Sequence, residues 1–575
     1  MLKKILFILF LIIIFFLAIG IWYSPILFKG YPVHTTGSDA LVRARNYSLT
    51  GKYAAENKLN VILAPELIKK QSQPSFYSNK LGTLLYSYPL KWFNINNNNS
   101  AVLLNCLLLA LALIFFSLTV YYLFNFKTAL FFSLIYVLLP SNWDVTQLMI
   151  GYSVALVFLS LFFLFFSLGT QKFTRDKNII KSIKFWPHGL CLILAGIFLI
   201  LACASREALI LILPILFIFL IFQRLKKYLL YIFIPLIIIA CLVYLPGLIS
   251  GENVSLVLIN HSSNSQTEAA DFHFYSHLFP DPYTYHFNQT EFIENKLKNQ
   301  TESDILQQIG TQKVLASVGF LTPNLWQRFQ IGTTHLFRHI FRLFSITEIG
   351  GVLIFLLIFL GFYVLKKYNT YWSKFFIWWL MGSYLIMAYI VFANRNHNMD
   401  FGWLFALCTS LGIFFIADSF KDKFKKKNIY LAIFILVFTL YNLVLANHVM
   451  WGQNYDQSFI PYLNAYTSAI SQKEISSSEV IAVPFDAGDA YNLNFTTQKN
   501  VVVFRQETIQ QLIKQNQLSS AFNTFQVSHI LGYDPNLTKK ITELTSVINI
   551  ADSSIPISFD SQEINNKNWF LNLIK

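Results

Sequence analysis

Long apolar runs fill most of the chain and are separated mainly by short polar segments. Eleven runs have about the length that an α-helix needs to cross a bilayer, roughly 17 to 25 residues. They cover residues 5–23, 101–124, 128–146, 152–169, 188–204, 207–223, 228–248, 348–365, 372–393, 401–418 and 428–449. The pattern predicts a polytopic α-helical membrane protein with about eleven transmembrane helices, the first of them an uncleaved signal anchor.

Three polar segments are too long to be turns between spans. We call residues 24–100 the first loop, residues 249–347 the second loop and residues 450–575 the tail. Within the first loop, Leu81–Phe93 is amphipathic and carries aromatic residues that suit a membrane interface. This segment is therefore predicted to be a helix lying along the membrane surface.

The tail contains short apolar segments that are typical of strands. These are Val480–Val483, Val501–Phe504 and Val527–Tyr533, and Thr508–Gln517 between them has a helical pattern. The tail is therefore predicted to be a small α/β domain. It follows a transmembrane domain, residues 1–449, that includes both loops.

The charged residues predict the orientation of the chain. Only 13% of the 575 residues are charged, against about 25% in soluble proteins. Lys and Arg are concentrated in every second short segment between runs, beginning with Lys3 and Lys4, so the N-terminus is inside and both loops and the tail lie outside the cytoplasm. We expect a multi-pass protein of the cell (plasma or inner) membrane. The net charge of +15 lies largely in these short segments, which argues against nucleic-acid binding.

Asp39 is the leading candidate for catalysis. It lies in Gly37–Asp39, at the start of a predicted short helix in the first loop. A carboxylate at the membrane surface can act as a general base on the acceptor of a lipid-linked substrate. The same position also suits a helix cap, because Ser38 or Asp39 can accept hydrogen bonds from free backbone N–H groups.

Two further charged residues interrupt apolar sequence at predicted outer ends of spans. Asp144, at the end of the third run, can position an acceptor or sugar or hold a divalent cation; a solvated loop residue or a cap is the alternative. Arg206 lies between the fifth and sixth runs, where charge is costly and tends to be functional. Its guanidinium suits a lipid phosphate, and a local ion pair with Glu207 is the alternative.

A second basic group is predicted at the same membrane face. Arg395 and His397 follow the ninth run, and Arg395 is a candidate to stabilise a departing phosphate. Arg338 belongs to a basic and aromatic amphipathic segment, Asn324–Phe344, which suits anionic headgroups or the edge of a lipid-phosphate site. Interfacial anchoring is the alternative for all three residues.

Several short motifs carry a family resemblance. Gly37–Asp39 followed by Ala44–Tyr53 is similar to an acidic motif and its continuation, Pro74–Tyr77 to a proline-aromatic step, and Ala204–Ala208 to an arginine-bearing turn. Together they resemble polyprenyl-phosphate-dependent glycosyltransferases of the GT-C superfamily, near the bacterial relatives of protein O-mannosyltransferases and aminoarabinose transferases. Ala40 stands where the family usually has a second acidic residue, and Arg395–His397 lacks the family's tyrosine.

The resemblance implies an inverting transfer of a hexosyl or pentosyl group. The donor would be a polyprenyl-phosphate sugar and the acceptor a hydroxyl of a glycan, lipid or protein. It implies Asp39 as base, Asp144 and Tyr77 on the acceptor or sugar, and a phosphate held by Arg206, Arg395, His397 and Arg338. It indicates no required cofactor or metal.

Two other readings of the sequence remain open at this stage. One is a non-catalytic transporter or flippase of lipid-linked saccharides, which would favour broken helices and polar residues at mid-bilayer. The other is a polysaccharide polymerase or ligase, which would transfer a chain instead of a single sugar. The polar candidates of this chain lie at helix ends, which favours the transferase.

Overall fold

The computed structural model describes most of the helical part of the chain and much of the tail. The described residues are 2–29, 41–42, 44–45, 47–48, 59–62, 81–95, 98–146, 151–170, 188–223, 225–249, 329, 333, 336–337, 340–341, 343–386, 400–419, 428–454, 459–473, 475–476, 479–484, 493–504 and 506–550.

Helices make up the greater part of these residues. In chain order they are α1 Leu2–Lys29, α2 Leu81–Trp92, α3 Asn98–Leu123, α4 Phe126–Leu138, α5 Ser141–Thr146, α6 Tyr152–Gly169, α7 His188–Ser205, α8 Ile212–Phe222, α9 Lys226–Ile249, α10 Ile346–Ile349, α11 Val352–Tyr368, α12 Thr370–Ile386, α13 Gly402–Ser419, α14 Asn428–Asn454, α15 Phe459–Gln472, α16 Gln506–Lys514, α17 Leu518–Phe525 and α18 Pro535–Leu544. Each predicted apolar run overlaps at least one of these helices, and the segment Leu81–Phe93 of the first loop contains α2.

Five of the helices are long and apolar enough to cross a membrane. They contain Ile5–Ser24, Asn99–Leu123, Tyr152–Gly169, His188–Ser205 and Tyr430–His448. Shorter apolar helices include Phe126–Leu138, Leu209–Phe222, Lys227–Val243 and Gly402–Ala417. The chain is thus a mostly helical membrane protein, and the full number of eleven spans stays a prediction.

Two apolar runs are broken where the sequence pattern predicts continuous helices. The third run ends its regular helix at Leu138, because Leu139 precedes Pro140 and adopts the extended conformation that a proline imposes on its neighbour (φ −66°, ψ 123°). The short helix α5 follows separately. The sixth run begins with a 3-10 turn, Glu207–Leu211, and Pro214 lies in the first turn of α8, where its missing N–H is tolerated.

Close helix contacts depend on glycine. A Cβ atom added to Gly361 on α11 would lie 1.8 Å from the carbonyl oxygen of Cys408 on α13. One added to Gly412 on α13 would lie 2.2 Å from the carbonyl oxygen of Leu357 on α11. The two helices therefore approach backbone to backbone at two reciprocal points, as small residues allow in membranes.

The described strands form one parallel sheet in the order β1-β3-β2-β4-β5. The strands are β1 Leu59–Ile62, β2 Val480–Val483, β3 Asn500–Phe504, β4 Val527–Ile530 and β5 Ile548–Asn549. Four of them belong to the tail, where the three predicted strands and the predicted helix coincide with β2, β3, β4 and α16. The first loop contributes β1, which pairs with β3 from Leu59 opposite Val501 to Ile62 opposite Phe504.

The pairing of β1 with β3 constrains the membrane topology. Two strands cannot hydrogen-bond to each other through a bilayer, so the first loop and the tail lie on one side. An even number of crossings must separate Ile62 from Asn500. The ten predicted spans between these residues satisfy this condition.

Candidate functional site

Three helix ends that are distant in sequence meet around Tyr152. Arg206 follows the last residue of α7, and its guanidinium carbon lies 4.3 Å from the centroid of the Tyr152 ring. The Tyr152 hydroxyl donates a 2.6 Å hydrogen bond to Oδ1 of Asp400, just before α13. Tyr152 and Asp400 are 4% and 2% exposed. A partly buried cation, a buried aromatic ring and a buried carboxylate thus form one cluster, here called the Arg206 cluster.

A helix of the first loop packs directly against this cluster. Gly151 precedes Tyr152 and has a φ of +81°, a conformation that glycine adopts without strain. A Cβ atom added to Gly82, near the start of α2, would lie 2.7 Å from the Cα of Gly151 and 3.0 Å from the Cβ of Ser205. Close backbone contact therefore places α2 beside the residues that precede Tyr152 and Arg206.

Aromatic packing fixes the start of α13 and with it Asp400. The ring of Phe401 lies 4.7 Å from that of Trp379. Trp403 stacks on Phe116 at 5.0 Å and lies 4.4 Å from Phe163. These contacts tie α13 to α3, α6 and α12, so the carboxylate is held by rigid elements and not by a loop alone.

The helix that carries Asp144 reaches the same region. A Cβ atom added to Gly402, two residues after Asp400, would lie 3.4 Å from Oγ of Ser141 and 3.6 Å from Oδ1 of Asn142. Asp144 lies in the same short helix, α5. The side chain of Asp144 lies outside the described residues, so the structure places its helix and not its carboxylate.

The geometry of the cluster is suited to holding an anion. The Arg206 guanidinium lies against an aromatic face, which attracts a cation and limits its orientation. The Tyr152 hydroxyl is itself oriented by a carboxylate, so ring and guanidinium are positioned together. A planar guanidinium held in this way can present paired N–H donors to a phosphate.

The sequence identifies only part of this arrangement. Among the predicted site residues, Arg206 and the helix of Asp144 lie in this region. Tyr152 and Asp400 were missed. Tyr152 is the first residue of one predicted span and Asp400 directly precedes another, but 248 positions separate them and no local pattern connects them. The remaining predicted residues lie outside the described residues; they are Asp39, Tyr77, Arg338, Arg395 and His397. Within the part of the chain that the structure describes, no group of three or more His, Cys, Asp or Glu residues could hold a metal ion.

Comparison of the sequence gives no match to a protein-family model or to a curated protein. The fold is similar to that of the oligosaccharyltransferase AglB from Archaeoglobus fulgidus, in complex with an inhibitory peptide and a dolichol-phosphate. The identity is 12% and the TM-score 0.47, over 87% of this chain and 64% of that one. This chain therefore spans just under two thirds of the archaeal protein's length.

A second similar structure is ArnT from Cupriavidus metallidurans bound to undecaprenyl phosphate. The identity is 11% and the TM-score 0.37, over 95% of this chain and 90% of that one. At these scores the likeness carries no argument about substrate or mechanism.

Proposed function

We propose that this chain is an inverting membrane glycosyltransferase. It moves a hexosyl or pentosyl group from a polyprenyl-phosphate donor to a hydroxyl of a glycan, lipid or protein on the outer face of the membrane. The observation that supports this most is the Arg206 cluster. A permanently charged guanidinium, placed between apolar helices against a ring whose hydroxyl binds a carboxylate, suits a phosphate carried on a lipid.

The donor phosphate is assigned to the basic residues at the outer helix ends. Arg206 binds its oxygens, with Arg395 and His397 on the segment before Asp400 and Arg338 at the edge of the site. Negative charge grows on the phosphate as the glycosidic bond breaks. Fixed cations at this position stabilise that charge more in the transition state than in the bound donor.

The acceptor side is assigned to the first loop and α5. Asp39 takes the proton of the acceptor hydroxyl, whose oxygen forms the new bond to the anomeric carbon. The bond from that carbon to the phosphate oxygen breaks on the opposite face, and the bonding electrons leave with the polyprenyl phosphate. Asp144 and Tyr77 hold the acceptor or the sugar. No cofactor enters this sequence of steps.

The proposed arrangement in the membrane supports this chemistry. Eleven spans with the N-terminus inside place the first loop, the second loop and the tail at the outer face, where the acceptor is found. The parallel pairing of β1 with β3 supports one part of this arrangement, that the first loop and the tail lie on the same side of the membrane. Residues 1–449 then form the transmembrane domain, and residues 450–575 form the α/β domain, to whose sheet the first loop adds β1.

The test is transfer of labelled sugar from a panel of polyprenyl-phosphate sugars in proteoliposomes. Wild type is compared with Asp39→Asn and Arg206→Ala, and with Lys366→Ala as a control. Lys366 is an exposed cation in the last turn of α11, at the predicted cytoplasmic end. We expect losses of about 100-fold or more for Asp39→Asn and Arg206→Ala, and wild-type transfer for Lys366→Ala.

The outcomes separate the alternatives. Loss of sugar transfer in both Asp39→Asn and Arg206→Ala, in protein that remains folded, supports the transferase. It also supports Asp39 as the base and Arg206 as the phosphate ligand. Transfer that survives Asp39→Asn removes the base from this position and leaves Asp39 a helix cap. Transfer of a whole saccharide chain instead of a single sugar indicates a polymerase or ligase. No transfer from any donor overturns the proposal in favour of transport.

A further inference from the structure

Arg45 joins the first loop to the tail through a buried contact. Its Nη1 donates hydrogen bonds of 3.0 and 3.1 Å to the carbonyl oxygens of Asn494 and Phe495. Its Nη2 donates a third, of 2.8 Å, to Oδ1 of Asn494. The guanidinium also lies 5.6 Å from the centroid of the Phe495 ring. We call this set of contacts the Arg45 clamp.

The partner surface is built to receive a cation. Nδ2 of Asn494 donates to the carbonyl oxygen of Lys499, which fixes the amide so that Oδ1 faces Arg45. Residues 493–497 form a short helix that ends before Gln498, whose φ is +58°. Carbonyl groups near the C-terminal end of a helix attract a cation, because the peptide dipoles place negative charge there.

Burial makes the clamp specific to a charged arginine. Arg45 is 5% exposed, and both Asn494 and Phe495 are completely buried. Desolvation lowers the pKa of Arg45 to about 10, which still leaves the guanidinium charged at neutral pH. A buried guanidinium is costly unless hydrogen bonds satisfy it, so removal of its partners is expected to release this segment from the tail.

A second contact joins the same two segments. Fourteen positions after Arg45 the first loop enters β1, which pairs with β3 directly after Lys499. The first loop therefore meets residues 494–504 of the tail twice, by a charged clamp and by a strand. Five residues separate Arg45 from Asp39, and three of them, Leu41, Val42 and Ala44, are described as helical.

We propose that Arg45 is a positioning residue that holds the first loop on the tail six positions after Asp39, and that this contact determines where Asp39 is presented. This inference rests on the proposed function, in which Asp39 is the base. It gives the tail a role that the sequence leaves undefined. The tail acts as the support of the catalytic loop, and Arg45 touches neither donor nor acceptor.

The clamp is tested first without activity, by hydrogen exchange of the purified full chain. Asn494→Ala removes one partner of Arg45 that is 449 positions away in sequence. We expect amides of residues 41–48 to exchange about tenfold faster in this variant. Arg45→Ala should speed exchange of residues 493–500 in return. Lys539→Ala removes a positive charge from an exposed site of the tail and should change neither segment.

Activity then tests the positioning role. Arg45→Ala should lower kcat by about 10- to 100-fold with an unchanged KM for the lipid donor, because the donor phosphate is held elsewhere. Arg45→Lys keeps the charge but not the forked geometry, so partial recovery is expected. In an Asp39→Asn background, Arg45→Ala should lower the residual transfer no further. A residue that only stabilises the fold would still lower it.

Each result supports or overturns the inference. Faster exchange together with a kcat loss that vanishes in Asp39→Asn supports it. Unchanged exchange of residues 41–48 in Asn494→Ala overturns the clamp. A kcat loss of equal size with and without Asp39 reduces Arg45 to a structural role. Wild-type transfer by Asp39→Asn ends both the base assignment and the positioning role, while the exchange data still report whether the clamp exists.

Discussion

Tyr152 links a cation and a carboxylate through one side chain. Its ring faces Arg206 and its hydroxyl binds Asp400, so a change at this residue affects both partners. Tyr152 and Asp400 are almost fully buried, so removal of the Tyr152 hydroxyl takes away a hydrogen bond that the Asp400 carboxylate accepts. Hydrogen bonds to charged groups contribute about 1.5–3 kcal/mol, against about 0.5–1.5 kcal/mol for neutral partners.

Tyr152→Phe should therefore destabilise the protein by about 1.5–3 kcal/mol. Tyr86→Phe is the matched control, because the buried Tyr86 hydroxyl donates to a neutral partner, the carbonyl oxygen of Ala101. We expect Tyr86→Phe to lower the free energy of unfolding by about 0.5–1.5 kcal/mol. Thermal unfolding of the two variants in detergent measures the difference. Equal losses would mean that the contact with Asp400 is no stronger than an ordinary hydrogen bond.

The residues found from sequence differ in kind from those that were missed. Arg206 stands out because a charge in a nearly continuous apolar stretch has a high desolvation free energy, which other interactions must offset. Asp400 and Tyr152 carry no such signal, since a tyrosine or a carboxylate at a helix end is common. Arg45 likewise gains its meaning only from Asn494. Contacts that close over hundreds of residues depend on the packing of helices, which periodicity does not encode.

At the scale of elements, apolar length and strand composition predict most of the helices and strands. The clearest error lies at a proline, where the apolar run continues although the helix ends. Pro140 ends α4 by its effect on Leu139, and hydropathy alone does not register this. The sequence also does not identify the partner of a strand. No residue near Leu59–Ile62 indicates that this segment pairs in parallel with a strand of the tail.

The contact of α11 with α13 gives a test at this scale. Gly361→Ala should destabilise the protein by about 1–3 kcal/mol or more, because its Cβ would overlap the carbonyl of Cys408 and force the helices apart. Gly20→Ala on α1 is the control, since no atom lies within 4 Å of its added Cβ. Alanine favours helix at an open site, so this variant should be neutral or more stable. Thermal unfolding that ranks the two variants in the opposite order would contradict the close approach.

At the scale of the molecule, the sheet makes the topology testable. Single cysteines at Lys91, Ser519 and Lys366, in a Cys241→Ser background, sample the first loop, the tail and a predicted cytoplasmic turn. A membrane-impermeant maleimide added to intact cells should modify the first two and reach the third only after permeabilisation. Opposite labelling of positions 91 and 519 would exclude the pairing of β1 with β3 in the membrane.

The shared sheet also has a consequence in time. During synthesis, β1 leaves the ribosome early, and its neighbour β3 follows roughly 440 residues later. At about 5–20 residues per second this interval lasts roughly 20 to 90 s. Throughout it the strand has an open edge, which is prone to pair wrongly. The sheet is completed only after the last predicted spans have been synthesised, so a chain that is truncated before the tail leaves β1 without its partner strand β3.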